Sequence, residues 1–246
     1  MAMLVRRHSS SLPAKEMLRI LVKDRTSYCS KFCAVLEGLY RLSFALMEAI
    51  PRPLAKGKLV LIIGPSGVGK SVILQSLRER HPEVHFPRSA TTRPRRKGEG
   101  SDLYHFVSDE EFDRLIEKGN VLEYAVVHGR ERYGTLVEEI IPYIDQGKIV
   151  IREVDVQGFD SIRTHRYFRE ENSAYTLQSI FILPENKEQL VARITNRAPI
   201  SEDELARRIA SMDRELDHVE DCDVQVVNRE GKIAETLKEV ERAIFT

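Results

Sequence analysis

The chain of 246 residues is poor in cysteine. Cys29, Cys33 and Cys222 are too few for a disulfide framework, so a reducing compartment is the simplest setting and a cytoplasmic location the expectation. No apolar run approaches about 18 residues, which argues against a transmembrane helix and a membrane partner. Net charge is absent too: 38 Lys and Arg stand against 38 Asp and Glu. That balance argues against a general nucleic-acid coat protein and against an acidic disordered tail. Internal repeats and low-complexity tracts are also missing.

The balance hides an asymmetry. Residues 1–56 hold ten Lys and Arg against four Asp and Glu, a net of +6, so the remainder carries −6. The first fifteen residues contain no acid. Their Arg and Ser content resembles a transit peptide without a clear cleavage signal, which leaves organellar targeting open; a solvated, disordered start is the simpler reading. From Glu16 to Ile50 the apolar spacing turns helical, ending at Pro51 and Pro53. Cys29 and Cys33 sit four apart on one helical face and read as small buried apolar residues. Residues 1–55 therefore read as an extension, with residues 16–50 available for packing on the main domain, on a second copy or on a partner.

After Lys58 the texture changes. Leu59–Ile63 is a continuous apolar run, as a buried parallel strand requires. Ile149–Val154, Ser179–Leu183 and Val224–Val227 read as further strands. Helical patterns lie at Asp109–Lys118, Leu136–Gln146, Lys187–Arg193, Glu202–Leu216 and Ile233–Ile244, and Val72, Ile73 and Leu77 begin another. Strands alternating with helices predict a three-layer α/β domain with a mainly parallel sheet.

Between the first strand and its helix stands Gly64-Pro65-Ser66-Gly67-Val68-Gly69-Lys70-Ser71, a full G-x-x-x-x-G-K-[ST] loop. Glycines let successive backbone N–H groups curl inward around phosphate oxygens, and the helix N-terminus adds its partial positive charge. Lys70 would reach the β- and γ-phosphates, and Ser71 would place its hydroxyl on Mg²⁺. The expected ligand is ATP with Mg²⁺. The loop alone does not name the phosphate acceptor.

Eighteen residues past Ser71 begins Ser89-Ala-Thr-Thr-Arg93-Pro-Arg-Arg96-Lys-Gly98-Glu99. Compact guanidinium forks suit one phosphate monoester, since they pair with its oxygens bidentately. No aromatic interleaving supports stacking on nucleic-acid bases. Further on come Tyr104-His-Phe106-Val-Ser, Leu122-Glu123-Tyr-Ala, Tyr133-Gly134-Thr135 and Asp155-Val-Gln157-Gly158. In this order the motifs resemble the guanylate kinase family over residues 56–246, a P-loop α/β fold with an insertion near 88–136 and a lid near 186–212. The resemblance implies ATP-dependent phosphorylation of GMP or dGMP. It implies that Arg93, Arg96, Tyr104 and Tyr133 hold the GMP phosphate and that Ser89, Glu123, Thr135 and Asp155 read the guanine. It also implies catalytic roles for Lys70, Arg96 and the lid arginines Arg193, Arg197 and Arg208, and an adenine-side place for Asn228. A carboxylate matches guanine because N1–H and the 2-amino group are neighbouring donors.

Three positions depart from the family pattern. Glu153 replaces an Asp and reaches one methylene further toward a water on Mg²⁺. Ala198 replaces a lid Gly. The loop 128–132 is one residue longer and carries Arg130 and Arg132. Two other readings are a non-catalytic interaction module on the same fold and a kinase of another small phosphate acceptor. The complete P-loop argues against the first, and Glu123, Asp155 and Thr135 against the second.

Overall fold

Strand β1 (Lys58–Ile63) explains the architecture. Leu59 through Ile63 are each 0% exposed, so apolar layers must cover both faces of the strand. Val60 and Ile62 meet one cluster, with Ile73, Leu77, Ile180, Ile182, Leu237 and Val240. Leu59, Leu61 and Ile63 meet a second, with Ile144, Val150, Phe159 and Phe181. The computed structural model describes residues 57–100, 102–127, 129–169, 173–197 and 201–246. The extension with its expected helices, Cys29, Cys33, His128 and Ala198 lie outside them.

The core sheet has four strands in the order β6 (Ile149–Glu153), β1, β7 (Thr176–Pro184), β8 (Val224–Asn228). Every pairing in it is parallel. Helices α1 (Lys70–Arg80) and α7 (Ile233–Phe245) supply residues to the first cluster. Helices α3 (Ile141–Asp145) and α4 (Val156–Arg163) supply the second. The expected three-layer α/β fold with a mainly parallel sheet is therefore present. Helices α5 (Lys187–Arg197) and α6 (Glu202–Leu216) follow β7 and send Leu190, Ile194 and Met212 into the first cluster.

A second, four-stranded sheet stands apart, ordered β3 (Tyr104–Phe106), β2 (Ser89–Thr91), β5 (Glu131–Leu136), β4 (Val121–Val127). Helix α2 (Asp109–Glu117) buries Phe112 against Ala90 and Leu136. Its start obeys capping rules: the Ser108 hydroxyl accepts from Glu111 N–H at 3.1 Å, and Asp109, Glu110 and Glu111 fill the first turn. Glu139 ties this region to the chain that re-enters the core. Its buried carboxylate accepts from Arg88 Nη2 at 2.9 Å and bonds His105 Nε2 at 2.6 Å.

One local expectation needs correction. Leu136–Gln146 is not one helix: Leu136 completes β5, Val137–Glu139 is a 3₁₀ turn, and α3 begins only at Ile141. Pro142 lacks an N–H and fits only a helix's first turn, while Leu136 pairs with Val121 of β4. Val72, Ile73 and Leu77 lie in α1 as expected, with Val72 54% exposed. Helix α4 had no period-based expectation; Asp155 caps it by accepting from Gly158 N–H at 2.7 Å.

Candidate active site

The P-loop joins β1 to α1. Its glycines Gly64, Gly67 and Gly69 have φ of 141°, 88° and 109°, the left-handed half of conformational space. A Cβ on Gly64 would meet the Ile182 carbonyl oxygen at 2.4 Å, and one on Gly69 would meet Asn228 Nδ2 at 2.6 Å. Pro65 and Val68 are buried, whereas Ser66, Gly67 and Ser71 are exposed at the mouth. Lys70 is 9% exposed and folds over the loop, its Nζ donating to Pro65 O at 3.2 Å and to Gly64 O at 2.5 Å. Glu153 stands 3.7 Å from that ammonium.

Two other elements brace the loop. Val68 O accepts from Asn228 Nδ2 at 2.7 Å and from Arg193 Nη1 at 3.2 Å. Asn228, expected on the adenine side, is 4% exposed, and its Oδ1 accepts from Thr236 Oγ1 at 3.1 Å. It supports the loop from within the core. Arg193 reaches the loop from α5. Arg208 does not: its guanidinium is on α6 and pairs with Glu204 at 2.7 Å, both side chains about half-exposed. Arg197 ends α5, and its side chain is outside the description.

The small sheet supplies the other half. Pairing sets Ser89 opposite Tyr104 on one side and Thr135 on the other, and Thr135 opposite Glu123. Tyr104, Ser89, Thr135 and Glu123 thus form one row across all four strands. The Thr135 hydroxyl donates to Glu123 Oε1. Burial pushes the Glu123 carboxyl up, opposed by that bond and by Arg152 and reinforced by Asp155. A Cβ on Gly158 would lie 3.3 Å from Asp155 Oδ1 and 3.5 Å from Glu123 Oε2, so both carboxylates face the same stretch of backbone.

Two residues further along the strands, Tyr133 pairs with Thr91. The Tyr104 and Tyr133 rings meet edge-on at 5.9 Å. The Arg93 guanidinium lies 5.4 Å from the Tyr104 and Phe106 ring centres, and Glu99 grips it at 2.7 and 3.0 Å. The fork from Arg93 and the Arg96 N–H hold the Glu99 carboxyl down at about 2. Arg96 itself offers an exposed side chain beside this pair. Arg132, from the basic loop, is engaged elsewhere: it pairs with Asp109 at 2.9 Å and with Asp113 over the Phe112 ring. A cleft of about 180 Å³ separates the small sheet from the core, lined in part by Arg78, Phe86, Ser89, Tyr104, Arg152 and Glu153.

A guanylate kinase family model matches residues 56–246. The chain belongs to the guanylate kinase family. It is 40% identical over 190 residues to a guanylate kinase of Nostoc sp., covering 77% of this chain and 90% of the relative. It is also 40% identical over 202 residues to one from Thermosynechococcus vestitus, covering 82% and 98%. The crystal structure of guanylate kinase from Anaplasma phagocytophilum is similar at a TM-score of 0.53 and 27% identity, covering 76% of this chain and 84% of that one.

Two residues of this guanylate kinase domain were missed from sequence. Arg152, in the core strand β6, donates from Nη2 to Ser89 Oγ at 2.8 Å and lies 3.9 Å from Glu123 Oε1. Glu215, near the end of α6, is half-buried; burial pushes its carboxyl up, the Lys70 charge opposes this and Asp155 adds to it. A charge inside the apolar run Ile149–Val154 was a visible signal for Arg152. Glu215 carried none, being one acid among many on an amphipathic helix. Among the described residues, no helix is long and apolar enough to cross a membrane.

Proposed function

We propose that the protein transfers the γ-phosphoryl group of ATP to GMP or dGMP, giving ADP and GDP or dGDP. The observation that carries this reading is the cross-strand row Tyr104, Ser89, Thr135 and Glu123, facing a core that bears a complete P-loop. Glu123 accepts from guanine N1–H and the 2-amino group, Ser89 and Thr135 supply hydroxyls, and Asp155 adds a second carboxylate at the rim. Adenine inverts this edge and leaves buried polar groups unpaired. Arg93, Arg96, Tyr104 and Tyr133 take the acceptor phosphate.

On the donor side the loop's glycines hold positive φ, and a Cβ on Gly64 or Gly69 would collide with Ile182 O or Asn228 Nδ2; such a glycine loop suits a triphosphate held by backbone N–H groups. Lys70 exchanges its loop carbonyls for phosphate oxygens. Ser71 directly, and Glu153 through water, are the residues that would hold Mg²⁺, which would supply positive charge to neutralise the phosphates. Arg193 stands over the loop beside the transferring group; Arg197 and Arg208 belong to the lid, and Arg208 must leave Glu204 to act. Phosphoryl transfer mainly needs alignment and charge neutralisation, so neither a covalent intermediate nor a dedicated base enters.

A coupled ADP-release assay over a panel of nucleoside monophosphates tests this. GMP should be preferred over AMP, UMP and CMP by orders of magnitude. Equal turnover across the panel would overturn the guanine assignment. No turnover with any member would favour the non-catalytic interaction module.

A further inference from the structure

Strand β6 runs Ile149, Val150, Ile151 and then Arg152, whose side chain is only 18% exposed. Burial lowers its affinity for its proton, and Glu123 and Glu153 oppose that. Its Nη2 is on Ser89 Oγ, and its Nε is buried with no partner among the described residues. A guanidinium in so dry a place is expensive unless its partners use the charge.

We propose that Arg152 is a specificity-determining residue that acts by position: it fixes the Ser89 hydroxyl as a donor and Glu123 as an acceptor, the polarity a guanine edge requires. The proposal rests on reading the small sheet as the guanine pocket. A serine hydroxyl can donate or accept. With a guanidinium N–H already on Oγ, the hydroxyl hydrogen turns away from the cation and toward the cleft. There it meets O6 of guanine favourably and the 6-amino group of adenine unfavourably. Glu123 needs the same help. Desolvation and Asp155 both work against its charge, while Arg152 and Thr135 work for it. A neutral carboxyl would turn a donor toward guanine N1–H. One buried cation on β6 thus sets the polarity of two base-reading groups on β2 and β4.

The test uses Arg152→Leu in the full chain, with GMP, IMP and AMP as acceptors and ATP varied separately. IMP shares O6 and N1–H with GMP but lacks the 2-amino group. The expected result is a roughly ten- to hundredfold loss of kcat/KM for GMP and a parallel loss for IMP, carried mainly by KM. The KM for ATP should stay within about threefold, and AMP should gain relative to GMP. Arg152→Lys, which keeps the charge, should recover part of the loss. Ser89→Ala should cost less in the Arg152→Leu background than in the parental one, because the hydroxyl is no longer oriented; full additivity would overturn the proposal. So would a folded Arg152→Leu with the parental GMP:AMP ratio, or one that loses GMP, AMP and ATP alike. If Arg152→Leu does not fold, Arg152→Gln removes the charge at similar size, and an unchanged GMP:AMP ratio there is equally fatal. A parental enzyme that does not prefer GMP to AMP means the guanine reading itself has failed. A parental preference that survives both variants sinks only the role of Arg152.

Discussion

The donor and acceptor halves of the site are built on opposite principles. The P-loop is eight consecutive residues whose backbone groups make the cradle, anchored to a strand buried on both faces. The proposed acceptor pocket is made of side chains from four strands, over a small core in which Ala90, Phe112 and Leu136 are the buried apolar residues. Ion pairs also cross it: Arg132 with Asp109 and Asp113, and Arg88 with Glu139. Exposed pairs contribute little each. The contrast teaches that one half is rigid through local geometry, and the other is held by register and a thin core, so local opening should begin there.

Lys70→Ala attacks the donor half and should have the largest effect. One preorganised contact to developing charge is worth roughly a thousandfold in kcat, so turnover should fall at least that far with the melting temperature nearly unchanged. Near-parental turnover would remove the ATP-site assignment. Phe112→Ala attacks the thin core of the acceptor half. Truncating a fully buried Phe costs about 3–5 kcal/mol. Hydrogen exchange should report β2–β5 opening while β1, β6 and β7 stay protected, and GMP affinity should fall with ATP affinity retained. Uniform loss of protection would mean that the two halves unfold as one unit.

Glu123→Gln sharpens the comparison without touching packing. An amide must turn a donor toward one of guanine's donors, and bonds to charged groups are worth about 1.5–3 kcal/mol. The kcat/KM for GMP should drop roughly ten- to a hundredfold while the KM for ATP barely moves. Its pH dependence has a definite sign. Burial raises the Glu123 carboxyl, and only the ionised form accepts both hydrogen bonds. GMP affinity should therefore hold at neutral pH and fall on acidification, beginning above the usual carboxylate range. Glu123→Gln should flatten that profile; a persisting acid limb would assign it to another group. The smallest effect is expected from Glu204→Ala, which frees Arg208. An exposed i,i+4 pair is worth about 0.3–0.5 kcal/mol, so the thermal midpoint should shift only slightly and kcat should not fall. A sharp loss of kcat would show that the pair itself holds the lid in a working position.

Much of the core was legible residue by residue. The run Leu59–Ile63 announced a strand buried on both faces, and the glycines announced the turn that follows. Helix α6 matched its periodicity end to end at Glu202 and Leu216. None of the small sheet's four strands was anticipated: β2 and β3 span three residues each, too short for an alternating pattern to register, and the longer β4, Val-Leu-Glu-Tyr-Ala-Val-Val, does not alternate. Asn228 was identified as near the nucleotide but not as a brace, since its contact with Val68 joins residues 160 apart. Arg208 was grouped with the lid arginines by resemblance to the family, while a carboxylate one helical turn away, that of Glu204, holds it here.

Taken alone, the sequence determined the local chemistry: a loop that only glycines can close, a lysine and a serine at its end, and an ordered set of short motifs that resemble those of the guanylate kinase family. These depend on neighbours within a few residues, where backbone stereochemistry and hydrogen bonding decide the outcome. The tertiary structure decided which of those side chains meet. Sheet register aligned Tyr104, Ser89, Thr135 and Glu123 in one row, and core packing brought Arg152 beneath them. Register is set by long-range pairing and by which face each strand must bury, and a slip of one residue would turn the whole row away from the cleft.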